Sequence, residues 1–90
     1  MFRPKTSLKI PYERQGYIYF TSKNYKALPK EKRQRIDELC LKAGGEHHKA
    51  LLEYVTTDAT ATQICLKHYI GEGTLHRMQR RYYMNFPKVL

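Results

Sequence analysis

The sequence is poor in the residues that stabilise secreted proteins and anchor membrane proteins. It has only two cysteines, Cys40 and Cys65, which lie far apart in sequence on the apolar faces of expected helices. We interpret them as reduced packing residues, because small secreted domains usually depend on several disulfides. The sequence also lacks a signal-peptide pattern and the roughly eighteen consecutive apolar residues of a membrane-spanning helix. These absences predict a soluble, cytoplasmic protein.

Combinations of residues that would carry out catalysis are missing as well. No serine or cysteine nucleophile stands beside an evident base, and we interpret Gly44-Gly45 and Gly71-x-Gly73 as helix ends rather than phosphate-binding loops. The adjacent carboxylates Asp37 and Glu38 would point to different faces of a helix. The sequence therefore predicts a protein that is not an enzyme and has no cofactor.

The spacing of histidine and cysteine does not favour a zinc site. Structural zinc needs four ligands, usually in closely spaced pairs. Apart from the adjacent His47 and His48, the one close pair is Cys65-x-x-His68, and both of its members lie on an expected core face. No metal ligand is predicted.

Acidic residues are scarce relative to basic ones. Lysine and arginine number 17 and aspartate and glutamate 8, which gives a net charge of +9. Residues 1–35 carry +8 (10 basic, 2 acidic), residues 36–59 carry −3 (2 and 5) and residues 60–90 carry +4 (5 and 1). Such an excess favours a polyanionic partner, with nucleic acid ahead of a membrane surface. Part of it forms a cluster that either extends a nucleic-acid site or keeps the protein soluble: Lys23, Lys26, Lys30, Lys32, Arg33 and Arg35.

The N-terminal part of the chain has no helical pattern. Residues 1–7 are basic and precede any periodicity, which predicts a flexible arm. Residues 8–20 contain two aromatic and branched runs, 8–12 and Tyr17 to Phe20, which predict a β annex in the form of a short hairpin or a single strand. Pro11 would confine the first run to a sheet edge. An exposed second strand would permit a homodimer through residues Tyr17 to Phe20.

Apolar residues recur at helical spacing from residue 29 onwards. Ile36, Leu39, Cys40 and Ala43 predict a helix over 29–43, which Gly44-Gly45 ends. Three more helices are predicted over 46–56, 60–70 and 73–84. The predicted fold is mainly α: a single four-helix domain over 8–90, with an extra helix at 29–43 and a trihelical core at 46–84.

The stretch 61–80 has its apolar residues where a helix-turn-helix needs them. Cys65, at the fifth position, is small enough for two helices to cross closely. Two positions depart from the usual pattern, because His68 replaces leucine at the eighth and Tyr69 replaces glycine at the ninth. Gly71-Glu72-Gly73 interrupts the helical spacing of the inward-facing residues and is expected to form the turn. These inward-facing residues are Ile64, Cys65, His68, Ile70, Leu75 and Met78.

The sequence QICLKHYIGEGTLHRMQRRYY resembles the helix-turn-helix of region four of bacterial sigma factors. It is still more similar to the same unit in small regulatory proteins of prophages and mobile elements. This resemblance implies that helix 73–84 enters the major groove of double-stranded DNA. Early residues of that helix would then read bases, namely Gly73, Thr74, His76 and Arg77. Phosphate contacts are expected from Thr62, Lys67, Arg80 and Arg81.

The resemblance favours a sequence-specific DNA-binding protein, a transcriptional regulator of a prophage or mobile element associated with a bacterial nucleoid. Two alternatives use the same surface. One is a protein-interaction module that docks on RNA polymerase or on another regulator. The other is an accessory recombination factor with an architectural role.

Overall fold

The computed structural model describes residue 5 and residues 8–90, and this part of the chain is built almost entirely from helices. The predicted mainly α fold is confirmed. The four predicted helices correspond to α2–α5, with ends that differ by at most two residues. An additional helix, α1, precedes them. The five α-helices are α1 (Tyr12–Lys23), α2 (Lys30–Gly44), α3 (His48–Thr56), α4 (Ala61–His68) and α5 (Glu72–Asn85), with 3₁₀ turns at Tyr25–Ala27 and Gly45–His47.

The predicted β-hairpin over 8–20 is wrong. Helix α1 begins after Pro11 and runs through the expected second strand, and no strand occurs within the described residues. Its buried residues are Gln15, Ile18 and Ser22, which recur at helical spacing but include only one apolar side chain. A homodimer through a strand from Tyr17 to Phe20 therefore has no structural basis.

The core lies where α2, α3 and α5 meet, with α1 and α4 packed on its sides. Tyr82 of α5 is fully buried at its centre, and Leu75 and Met78 extend the same buried stripe along α5. The other helices contribute one or more residues each. These are Ile18 of α1, Ile36, Cys40 and Ala43 of α2, Ala50, Leu51 and Val55 of α3, and Ile64 of α4.

Two glycines end α2 and allow a sharp turn into α3. Gly45 has φ 55° and ψ −124°, a conformation that residues with a side chain rarely adopt. Its N–H donates to the carbonyl of Leu41 and so caps the helix. Gly44 lies so close to α5 that a Cβ there would be 3.3 Å from the sulfur of Met78. The C-terminus of α2 is thereby held against the middle of α5.

A capping box fixes the start of α4. The hydroxyl of Thr60 accepts a hydrogen bond from the N–H of Gln63, and the Gln63 side chain accepts one from the N–H of Thr60. The helix ends at Tyr69, which has the left-handed conformation with φ 56° and ψ 46°. Ile70 and Gly71 then lead directly into α5. This short connection holds α4 and α5 in contact.

The C-terminal residues pack on α1 instead of forming a free tail. Leu90 is buried, and its N–H donates to the hydroxyl of Tyr17 over 2.9 Å. Arg14 donates to the carbonyls of Phe86 and Lys88 over 2.8 and 3.0 Å. These bonds fasten the C-terminal residues to α1. In the part of the chain that the structure describes, no helix is long and apolar enough to cross a membrane.

Candidate nucleic-acid interface

Helix α5 has one buried and one exposed side. Leu75, Met78 and Tyr82 are buried in the core. The side of α5 that faces away from the core carries four exposed residues, which we call the basic face. The helical period of 3.6 residues produces this separation. The basic face consists of Gly73, His76, Arg77 and Arg80.

The positive charge of this surface is hardly neutralised within the molecule. Lys67 is the only lysine or arginine that forms an ion pair among residues 5 and 8–90. The one acidic residue of α5, Glu72, accepts a hydrogen bond from the hydroxyl of Thr62 over 3.4 Å. Arg77 and Arg80 therefore keep an unpaired positive charge at the surface of α5, which attracts a polyanion.

The four residues predicted to read bases lie together on the first two turns of α5. Thr74 is half-buried, and its hydroxyl accepts a hydrogen bond from Nη2 of Arg77 over 3.3 Å. Gly73 presents backbone beside the same guanidinium, because a Cβ there would be 3.6 Å from Nη1 of Arg77. His76 lies on the other side of the basic face, next to Lys5. Arg77 is thus held near the start of the helix.

The four predicted phosphate contacts are more dispersed. Arg80 is exposed on the basic face, and Thr62 lies in the first turn of α4. Arg81 instead turns towards α2, where Nη1 donates to the carbonyl of Ala43 over 3.0 Å. That bond satisfies one of the free carbonyls at the C-terminal end of α2.

Lys67, the remaining predicted phosphate contact, has a partner within the protein. Its ammonium donates to Oε1 of Glu53 over 2.9 Å, and Nε2 of His68 lies 3.2 Å from the same oxygen. The hydrogen bonds from Lys67 and His68 lower the pKa of Glu53. This cluster joins α3 to α4, so Lys67 contributes to the packing of these two helices.

Sequence reasoning missed Lys5 as a neighbour of α5. Its ammonium donates to Oε1 of Gln79 over 2.8 Å and lies 3.3 Å from Nδ1 of His76. The predicted flexible arm over 1–7 lies, apart from Lys5, outside the described residues. The basic composition of residues 1–7 favours a polyanionic partner. No sequence pattern indicated which residue of α5 Lys5 would contact.

The basic cluster at 23–35 is divided between structural and exposed residues. Lys23 donates to the carbonyls of Tyr54 and Thr57, and burial lowers its pKa. Arg35 donates to the carbonyl of Leu90 over 3.1 Å. Lys26, Lys30 and Lys32 are exposed, Arg33 is half-buried, and Arg35 is itself exposed despite its bond to Leu90.

Neither a metal site nor a comparison with known proteins adds a functional assignment. Within the described residues, no three side chains of histidine, cysteine, aspartate or glutamate are grouped as metal ligands. Comparison with protein-family models, with curated proteins and with solved structures found no match to this chain.

Proposed function

We propose that this chain is a sequence-specific DNA-binding protein that inserts α5 into the major groove of double-stranded DNA. The observation that carries this proposal is the basic face of α5. It is exposed along about two turns, it holds two arginines and a histidine, and no ion pair within the described residues neutralises it. A rigid helix with this charge pattern matches the dimensions of the major groove.

The connection between α4 and α5 supports a helix-turn-helix. Tyr69 stands at the ninth position, where the resembled family usually has glycine, and it adopts the left-handed conformation that glycine favours. Ile64 and Leu75 are fully buried on either side of this turn. The short connection and the shared core hold α5 as a fixed unit against α4, and α3 packs on both helices.

Within this unit the side chains have different expected roles. Arg77 lies about one turn into α5 and is positioned beside Thr74, so it is the main candidate for reading a guanine through O6 and N7. Arg80 lies one turn further and would hold a backbone phosphate. Lys67 would reach a phosphate only after leaving Glu53, and we assign it a minor role.

A transcriptional regulator of a prophage or mobile element is the biological setting that we propose from the sequence resemblance. The protein-docking alternative is favoured by one feature. Leu66 and Tyr69 are 73% and 93% exposed on α4 and its C-terminal end, although both are large and largely apolar. Such residues are common at protein interfaces.

Selection of bound duplexes from a random pool, followed by binding isotherms at several salt concentrations, tests the proposal. Arg77→Ala should weaken binding to the selected duplex by about 1–3 kcal/mol and relax the preference at one base pair. Circular dichroism serves as the folding control. A wild-type protein that binds no duplex at low salt would overturn DNA binding and favour the docking module.

A further inference from the structure

A cavity of about 370 Å³ lies alongside α5, between the helix and the described part of the N-terminal arm. Among the described residues that line it, four carry basic groups and none is an aspartate or a glutamate. Its volume is many times the roughly 30 Å³ that one water molecule takes up in the liquid. A hydrated phosphate group can therefore enter. The lining residues are Lys5, Leu8, His76, Arg77, Gln79 and Arg80.

Lys5 is held in this cavity by bonds at both its backbone and its side chain. Gln15, which is 3% exposed, accepts from the N–H of Lys5 over 2.7 Å and donates to its carbonyl over 3.0 Å. The ammonium donates to Oε1 of Gln79, which also lines the cavity. Gln79 is neutral, so it orients the ammonium without cancelling its charge.

The environment of the Lys5 ammonium leaves room for an anion. Nδ1 of His76 can accept from the ammonium only as an unprotonated nitrogen. No ion pair to Lys5, His76 or Arg80 is found among the described residues. Burial lowers the pKa of Lys5, since the charged form loses contact with water. An entering anion would restore the electrostatic stabilisation that the ammonium has lost.

We infer that Lys5, His76 and Arg80 form a phosphate-binding site, the Lys5 clamp, whose occupant is a backbone phosphate of DNA. The inference rests on the proposed function, because it requires α5 to lie in the major groove. In that arrangement the phosphates of one strand run past the side of α5 that carries the cavity. The ammonium of Lys5 and the guanidinium of Arg80 both line the cavity, and both can donate to the phosphate oxygens.

A free phosphate ion shares the chemistry of the backbone phosphate, and the two occupants can be separated. The first experiment is a titration of the isotopically labelled protein with inorganic pyrophosphate, followed through the side-chain NMR signals of Lys5 and Arg80. We expect saturable shifts, and about tenfold weaker binding in Lys5→Gln and Arg80→Gln. Lys49→Gln is the matched control, because Lys49 is exposed on α3 and the change removes the same charge. The site would be overturned if the wild type showed no saturable shifts, or if Lys5→Gln and Lys49→Gln bound pyrophosphate equally well.

The second experiment measures binding of a mixed-sequence duplex by the same variants at several salt concentrations. Lys5→Gln should reduce the slope of log affinity against log salt by about one unit, and Lys49→Gln should leave it unchanged. If the wild type binds the duplex but Lys5→Gln keeps the full slope, the DNA backbone is not the occupant, although the proposed function stands. If the clamp binds pyrophosphate but the wild type binds no duplex, the proposed function fails and the site is one for free phosphate.

Discussion

The hydroxyl oxygens of Ser22 in α1 and Tyr82 in α5 lie 2.6 Å apart inside the core. Ser22 also lies 2.7 Å from the carbonyl of Ile18, to which it donates its only hydroxyl proton. The Tyr82 hydroxyl is therefore the donor in the bond between the two helices. Both side chains are almost fully buried, so this bond replaces hydration that the tyrosine loses on folding.

The direction of that bond predicts unequal costs for removing its two ends. Ser22→Ala leaves the Tyr82 donor buried without a partner and should lower the free energy of unfolding by about 1–3 kcal/mol. Tyr82→Phe leaves Ser22 bonded to Ile18 and should cost only about 0.5–1.5 kcal/mol. Urea denaturation of the two variants and of the double variant measures both values. A larger cost for Tyr82→Phe would show that the donor is Ser22.

Helix α1 also shows where the sequence pattern was insufficient. Its buried side carries Gln15, Ile18 and Ser22, and two of these three are polar. Gln15 and Ser22 can be buried because their polar groups are hydrogen-bonded inside the fold. The helical period of α1 therefore does not show in the spacing of its apolar residues. The exposed aromatic residues Tyr12 and Phe20 then gave the segment the composition of a strand. By contrast, α2–α5 bury mainly apolar residues at helical spacing, which is why their positions could be predicted.

The buried tyrosines and Cys40 predict a loss of stability at alkaline pH. Burial raises the pKa of Tyr83 and the pKa of the Cys40 thiol to about 12 each, and it also raises the pKa of Tyr82. Since these groups ionise at lower pH in the unfolded chain, the unfolded state binds fewer protons above about pH 9. Their stabilising contribution is complete below the unfolded pKa values and falls as the pH rises towards the folded ones.

The expected loss between pH 8 and 10.5 is on the order of 3–4 kcal/mol, because one fully shifted group loses about 1.4 kcal/mol per pH unit above its unfolded pKa and the Cys40 thiol ionises earliest in the unfolded chain. Urea denaturation at the two pH values measures it. Tyr83→Phe removes one of the raised groups, so its stability should fall less steeply over the same interval. Equal losses in the wild type and Tyr83→Phe would contradict the assignment of Tyr83.

The left-handed conformation of Tyr69 predicts a stabilising substitution. A side chain at this conformation costs roughly 1–2 kcal/mol, and the Tyr69 ring is 93% exposed, so little packing would be lost. Tyr69→Gly should raise the free energy of unfolding by about 0.5–1 kcal/mol after the greater entropy loss of glycine is included. Tyr69→Ala is the control, because it removes the ring but keeps Cβ. Thermal denaturation that shows equal gains for both would place the cost in the ring instead of the backbone.

The candidate interface was predictable where it depends on one helix and unpredictable where it depends on contacts between distant segments. Helical spacing alone placed His76, Arg77 and Arg80 on one exposed face. Nothing local indicated that Lys5 would bond to Gln79, since 74 residues separate them. The bond from Arg81 to Ala43 likewise spans 38 residues and is invisible to a pattern confined to α5.

Substitution of the neighbouring arginines Arg80 and Arg81 separates an expected effect on DNA binding from an expected effect on stability. Arg80 is on the basic face, and no bond or ion pair ties it to the described residues, so Arg80→Ala should leave the unfolding midpoint unchanged. It should weaken selected and random duplexes by similar factors and reduce the salt slope by about one unit. Arg81 donates to the C-terminal end of α2, so Arg81→Ala should lower the free energy of unfolding by about 1 kcal/mol.

The two substitutions remove the same charge from adjacent positions, and each is therefore the control for the other. Isotherms at several salt concentrations and urea denaturation of both variants give the comparison. If Arg81→Ala reduces the salt slope as much as Arg80→Ala does, the guanidinium of Arg81 leaves Ala43 to bind a phosphate. If neither substitution affects duplex binding, α5 does not lie against the DNA backbone. The exposed Leu66 and Tyr69 would then mark the surface through which this protein acts.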